Sequence, residues 1–349
     1  MKVVDLRSDT VTLPSPQMRR AMFEAELGDD VFGEDPTVNE LERVSAELMG
    51  KESAMLVVSG TMGNLVCMLT HCQRGDEIIL GDKSHIFLNE AGGVSALGGI
   101  HPHTVKNQDD GTMRIEDIES AIRGKNLHWP RTRVICLENT HNYCYGAPLS
   151  VEYMTEVFNL ARRHNLFVHL DGARLFNAAV ALKQDVKKFT QYADSVTFCL
   201  SKGLAAPVGS VVCGDRDFIA EARRNRKVLG GGMRQAGIIA GPGIISIKQM
   251  VTRLAEDHKN ARRLAEGIVK IPGLKLDLER VKTNIIYFEL DIDGVEPDQF
   301  VKSLDNQGVR FLRTGTRRFR MVTHYGIEEE DVSYVLEKLT QVTNELFKR

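Results

Sequence analysis

The stretch "LFVHLDGARLFNAAVALKQDVKKFTQYADSVTFCLSKGLAAPVGSVVCG" (residues 166–214) decides the architecture. It contains three largely apolar runs, at 166–171, 195–200 and 209–214, and a helical pattern separates the first two. Strands that do not alternate polar with apolar residues are buried on both faces, which is the condition of a parallel sheet covered by helices. Between Val196 and Val212 a single residue is charged, Lys202. A buried charge needs a partner, or it must neutralise or react. Two readings are open. Either the lysine stem is packed and its head reaches water, or chemistry requires the amine deprotonated or covalently modified.

The same alternation extends outward. "AMLVV" (54–58) reads as a strand before the helix "TMGNLVCMLTHCQ", and "EIILGD" (77–82) as a strand before a loop and a helix from His85. "RVICLEN" (133–139) precedes the helix "SVEYMTEVFNLARRHN" (150–165), and "DRDFIAEARRNRK" (215–227) is a further helix. The fold class is therefore α/β. The pattern changes after about Arg234. One long helical stretch runs from Ala236 to Val269, punctuated by Gly-Pro-Gly at 241–243. Strands follow at 274–278, 283–290, 309–312 and 318–324, with helices near 297–307 and at the end, which predicts a smaller α+β domain. The boundary falls inside the long helix.

Composition excludes several classes. The 349 residues are 42% hydrophobic and 26% charged, with a formal net charge of −2. Nothing in that balance attracts nucleic acid or an anionic membrane. The first residues, "MKVVDLRSDTVTLP", carry charges where a signal peptide needs an apolar core. The longest uncharged stretch, Ser53 to Gln73, is too polar to span a membrane. Six cysteines without a Cys-x-x-Cys pair read as reduced thiols of a cytoplasmic protein.

Ligands of parallel α/β sheets bind outside the carboxyl ends of the strands. Four features fall there. "SGTMGN" (59–64) opens a helix, where small residues and orphan amides suit a phosphate, or simply make a tight turn. Asp171 ends the run 166–171, as a ligand carboxylate or a helix cap, and Arg174 follows as an anion clamp. Lys202 comes 31 residues after Asp171, room for one helix and one strand. His85, after the strand 77–82, offers a flat ring for a planar ligand. His101 and His103 in "HPH" suggest a metal, but no carboxylate or cysteine has ligand spacing to them, so no metal is expected. A phosphate cup, an acid, a lysine and an aromatic ring together match pyridoxal 5′-phosphate. Lysine forms its Schiff base, and an aspartate opposite the ring nitrogen keeps that nitrogen protonated.

Over essentially its whole length the chain closely resembles the low-specificity L-threonine aldolases of the fold-type I pyridoxal-phosphate enzymes. The resemblance rests on "DLRSDTVT" (5–12), "GDDVFGEDPTVNELE" (28–42), "SGTMGN", "SHIF" (84–87), "ENTHN" (138–142), "HLDGARLFNA" (169–178), "CLSKGLAAPVGS" (199–210), "LGGGMRQAG" (229–237) and "RMVTH" (320–324), in that order. It implies a large domain (15–245) with a mostly parallel seven-stranded sheet, an N-terminal arm (1–14) and a small C-terminal domain (246–349). It also implies a homotetramer, a dimer of dimers with shared active sites.

The resemblance assigns roles residue by residue. Lys202 would hold the cofactor, Asp171 pair with its ring nitrogen and His85 stack on the ring. Gly60, Thr61 and the amide of Met62 would hold the phosphate, and Arg234 would reach the phosphate of a neighbouring subunit. Ser8, Arg174 and Arg320 would bind the substrate carboxylate, with Arg174 also beside the cofactor. His128 would approach the substrate hydroxyl from its own or a neighbouring subunit. The implied reaction is reversible cleavage of L-threonine, L-allo-threonine and related β-hydroxy-α-amino acids to glycine and an aldehyde. The base taking the hydroxyl proton is His85 or His128, since a neutral imidazole suits the task near pH 7.

The chain departs from the family pattern at two places. Phe32 stands where tyrosine is common, near the substrate, and "YCYGAPLS" (143–150) replaces a glycine pair with a loop carrying Tyr143 and Tyr145. Two alternatives remain. One is another fold-type I chemistry, a β-eliminating lyase or an aminotransferase. The other is a non-enzymatic, nucleotide-binding α/β protein.

Overall fold

A computed structural model describes residues 2–292 and 294–347. Met1, Asp293, Lys348 and Arg349, which belong to the expected arm and small domain, lie outside the described residues. The arm contributes the short strand β1 (Val4–Asp5). The large sheet is built from β2 (Ser53–Val57), β3 (Asp76–Gly81), β4 (His101–Val105), β5 (Arg131–Glu138), β6 (Phe167–Asp171), β7 (Ser195–Cys199) and β8 (Ser210–Gly214). Its order is β2-β8-β7-β6-β5-β3-β4. Neighbours from β7 to β4 run parallel, whereas β8 is antiparallel to both β7 and β2. The ten residues between β7 and β8 hold no helix to return the chain, so the second strand must run backwards. Lys202 therefore sits in a hairpin loop, closed by Leu200 N–H to Gly209 O (3.0 Å) and tightened by Ala205 in the left-handed region (φ +60°).

The sequence pattern marks six of these seven strands. The seventh, β4, is an edge strand whose "HPHTV" is mostly half-buried or exposed, so it lacks the apolar signature. Across β4 and β3, His101 and His103 meet the buried Glu77 at 3.7 and 3.5 Å. The carboxylate missing from the motif in sequence is thus supplied by the neighbouring strand. Arg123 also pairs with it at 2.7 Å, so Glu77 is an ion-pair centre at the sheet edge.

The long helical stretch also differs from expectation. Gly-Pro-Gly does not interrupt it: Pro242 lies inside the helix Gly237–Ile245, and a wide π turn over Ser246–Met250 follows before the helix Leu254–Ile268. Packing changes hands within that last helix. Leu254 belongs to the core under the large sheet, and Ala261 onward belongs to a second core. The second core is closed by the antiparallel sheet β12-β13-β10-β9: β9 (Leu274–Lys275), β10 (Ile285–Leu290), β12 (Leu312–Arg313) and β13 (Arg318–Val322). The arm is part of it. β1 pairs with β11 (Val309–Arg310), and Val4 and Leu6 are buried there. This stitching delivers Ser8 and Asp9 to the carboxyl edge of the large sheet.

Candidate active site

Segments that follow the carboxyl ends of β3, β5, β6 and β7 converge with the arm and β13 around one cavity of about 220 Å³. Its walls include Ser8, His85, Asn142, Arg174, Lys202 and Arg320. In register, Glu138, Asp171 and Thr197 form one row across three adjacent strands. Residues directly opposite on parallel strands share a face, so the row presents its side chains together. The helix Gly60–His71 covers that face. Glycine permits the approach: a Cβ at Gly60 would stand 3.0 Å from Cys199 Sγ, and one at Gly63 would stand 3.0 Å from Thr197 Cγ2.

Asp171 is buried, and its two oxygens accept from Ala173 N–H (3.1 Å) and Asn64 Nδ2 (2.8 Å). His85 Nδ1 donates to Glu90 Oε1 at 2.8 Å, and the His85 backbone N–H donates to Glu138 at 2.7 Å. The hydrogen bond that His85 gives to Glu90 outweighs partial burial and raises the His85 pKa, while burial raises that of Glu90. The proton is thus kept on Nδ1. The expected unperturbed imidazole is corrected to one biased toward its charged form. Ligand atoms of His85, Glu90 and Asp171 lie within 4.8 Å of one another. Lys202 is half-buried on the cavity wall.

The two arginines are not equivalent. Arg174 is buried and gives Nε and Nη2 to the two oxygens of Asp9, each at 2.7 Å. Burial opposes ionisation of Asp9, but the charge and hydrogen bonds of Arg174 prevail and hold its pKa at about 2. Only Nη1 of Arg174 turns elsewhere, 3.5 Å from Asn142 Oδ1. Arg320 is buried too, yet it meets neutral oxygens only: Asn142 Oδ1 at 2.9 Å and Arg7 O at 3.2 Å. Its Nε has no partner among the described residues. A buried guanidinium on a cavity wall without a counter-charge keeps donors free for an anionic group.

The expected phosphate cup is corrected in one donor. The Met62 N–H is already given to Ser59 Oγ (3.1 Å), which caps the helix. Gly60 and Thr61 are the first helical residues, and their N–H groups are orphaned by helix geometry. The donor set fits pyridoxal phosphate: orphan amides for the phosphate, a buried acceptor for the ring nitrogen, an imidazole on one flank and an amine on the wall.

Gly60, Thr61, Met62 and Asp171 are not on the wall of this cavity, although Asp171 has a ligand atom within 4.8 Å of that of the wall residue His85. Three further expected residues are exposed in the single chain. Phe32 is 72% exposed. Arg234 pairs with Asp29 at 3.0 Å and is more than half exposed. His128 is exposed on a surface loop, its N–H bonded to Asn126. Of the two tyrosines, Tyr143 lines the cavity and donates to Asn89 (3.3 Å), whereas Tyr145 packs edge-on to Tyr287 under Arg280, away from it. Asp9, Glu90, Glu138, Asn142 and Asn64 are site residues that sequence reading assigned no role. Four of them sit inside quoted motifs, and only Glu90 falls just past one.

A sequence profile described as beta-eliminating lyase matches residues 5–291. A protein of Arabidopsis thaliana described as a probable low-specificity L-threonine aldolase 2 is 52% identical over 342 residues, 96% of each chain. The low specificity L-threonine aldolase of Escherichia coli (strain K12) is 43% identical, covering 95% of this chain and 97% of its own. A solved Leishmania major threonine aldolase superposes with a TM-score of 0.83 at 21% identity, over 97% of this chain and 98% of its own. The architecture is that of a fold-type I enzyme. The chain belongs to the beta-eliminating lyase family and, within it, to the low-specificity L-threonine aldolases.

Proposed function

We propose that the chain cleaves L-threonine and related L-β-hydroxy-α-amino acids to glycine and an aldehyde, with pyridoxal 5′-phosphate as cofactor. The observation carrying this is the buried, carboxylate-free guanidinium of Arg320 across the same cavity as Lys202. When bound, pyridoxal phosphate supplies a carbonyl carbon for the substrate amine and a ring that takes up the electrons of the broken bond.

The chain's residues do the rest. Lys202 is the amine that anchors the cofactor. Asp171, with its remaining acceptor capacity, holds the proton of the ring nitrogen. Arg320 grips the α-carboxylate, with Ser8 and the free Nη1 edge of Arg174 beside it. Gripping the carboxylate fixes rotation about Cα, so the Cα–Cβ bond is the one held ready to break, and such orientation lowers the barrier by several kcal/mol. With Nδ1 committed to Glu90, His85 Nε2 is the atom of this ring left to move the β-hydroxyl proton.

The single-chain positions of Phe32, His128 and Arg234 support a shared site in a homotetramer. All three are exposed and would be supplied to a neighbour's cavity. The six free, buried cysteines support a reducing, cytoplasmic setting, and no described helix is long and apolar enough to cross a membrane. We set the division between large and small domains within the helix Leu254–Ile268 rather than at the expected 245/246, because Ile247, Met250 and Leu254 share the core under the large sheet while Ala261 begins the second core, to which Val4 and Leu6 of the arm also belong.

Product analysis tests the reading. Loaded enzyme given L-threonine should release glycine and acetaldehyde in equal amounts. Ammonia and 2-oxobutyrate instead would establish β-elimination, the chemistry of the wider family's name.

A further inference from the structure

Beneath Asp171 runs a chain of buried polar groups that the reaction does not touch. Asn64 is almost fully buried on the helix Gly60–His71. Its Nδ2 lies 2.8 Å from Asp171 Oδ2 and 2.8 Å from Glu90 Oε1. Its Oδ1 lies 2.8 Å from Thr197 Oγ1 and 3.0 Å from His169 Nε2.

Donor logic leaves no freedom in this arrangement. An amide nitrogen only donates, so it is the nitrogen that must face two carboxylates. The amide oxygen only accepts, so Thr197 and His169 Nε2 must donate to it. His169 then carries its proton on Nε2, and Nδ1 accepts from Ser195 Oγ at 2.9 Å. Ser195, having donated, accepts from His71 Nε2 at 2.8 Å. The His71 ring is fixed between Phe167 and Phe218, with centroids at 4.7 and 4.6 Å. Burial drives His169 down to about 4 and His71 down to about 3, so both stay neutral and the polarity of the chain does not reverse near pH 7. The register explains the reach. His169 pairs with Ser195 and Asp171 with Thr197, one face of two strands, while Asn64 and His71 are two turns apart on the covering helix.

We propose that Asn64 is a positioning residue for the lyase reaction: its amide, locked by Thr197 and His169, holds the Asp171 and Glu90 carboxylates side by side as acceptors. This rests on the cofactor reading of Asp171. Two carboxylates this close repel, and one would take up a proton without a donor between them. The bridging amide keeps both available, Asp171 for the ring nitrogen and Glu90 for His85 Nδ1. It thereby couples the group that makes the ring electron-poor to the group that sets the His85 proton. The titratable groups around Asp171 are Glu90, His85, His169, Cys67 and Cys136, with Lys202 acting on His85.

The test uses full-length, cofactor-loaded Asn64→Ala and Thr197→Val. Three things are measured: kcat and KM for L-threonine, the pH midpoint of the bound cofactor's visible band, and thermal stability. Asn64→Ala should lower kcat about tenfold or more while KM stays within about threefold, because Arg320 and Asn142 are untouched. Its visible-band midpoint should move by about one pH unit, since the acceptor opposite the ring nitrogen is altered. Thr197→Val removes one of the two donors that lock the amide and should shift both readouts the same way by less. A folded Asn64→Ala with wild-type kcat and midpoint would make Asn64 a mere core filler and overturn the proposal. If Asn64→Ala does not fold, Thr197→Val decides: unchanged kcat and midpoint overturn it, shifted values support it. The band titration needs no threonine, so a wild type that binds cofactor but releases no acetaldehyde refutes the aldolase reading alone.

Discussion

Asp9 and Arg174 form a two-pronged ion pair, 2.7 Å on each side, between the N-terminal arm and the large sheet, with both side chains buried. It neutralises one of the cavity's two arginines and leaves Arg320 without a carboxylate partner among the described residues. Losing one partner would strand a buried charge. Asp9→Asn should therefore destabilise the protein by about 3–5 kcal/mol, read as a lowered denaturant midpoint.

The same pair sets an acid limit. The Asp9 pKa in the folded state, about 2, lies below its ordinary 3.8, so the unfolded chain takes up the proton first. The stabilisation, about 2 kcal/mol, is complete above that ordinary value and is lost as pH falls through the folded pKa. Wild type should lose stability over that window by about this amount more than Asp9→Asn, in urea unfolding compared at pH 5 and pH 2.

Three buried histidines act at higher pH. His71, His169 and His258 are pushed by burial to about 3, about 4 and about 4. Each folded pKa lies below the unfolded value near 6.5, so the unfolded chain binds more protons between about pH 6.5 and 4 and stability falls as pH drops through it. Urea unfolding at pH 7 and pH 5 should differ by several kcal/mol, and His258→Gln should remove about a third of that difference.

Arg320 should behave as the carboxylate anchor. Arg320→Lys keeps the charge but not the planar fork, and should lower kcat/KM for L-threonine by about 10- to 100-fold, mostly through KM. An unchanged KM would move carboxylate recognition to Arg174.

Sharing of the site between subunits predicts complementation. Lys202→Ala and Arg234→Ala, each inactive or nearly so alone, should regain activity when unfolded and refolded together, because some cavities then combine intact halves. Mixtures no more active than their parts would place Arg234 outside the site.

Much of this was legible in the sequence, for stated physical reasons. Strands buried on both faces announce themselves as unbroken apolar runs, so β2, β3, β5, β6, β7 and β8 were readable. The edge strand β4 was not, because half its surface faces water and "HPHTV" carries no such run. Lys202, Asp171 and His85 are legible because each ends or closely follows an apolar strand run. Asn64 and Glu90 were hidden: their partners lie across the sheet and loop, 107 and 26 positions from Asn64, and only folding brings them together. Asp9 is not legible either, because its partner Arg174 is 165 residues away.

The central claim is that these strand ends build one cofactor pocket with Lys202 as its covalent anchor. Borohydride reduction of the loaded, yellow protein followed by peptide mapping tests it most directly. The account predicts the reduced cofactor on Lys202 alone, with no label and no colour in Lys202→Ala. Label on another lysine, or colour that survives the substitution and reduction without attachment at residue 202, would contradict it.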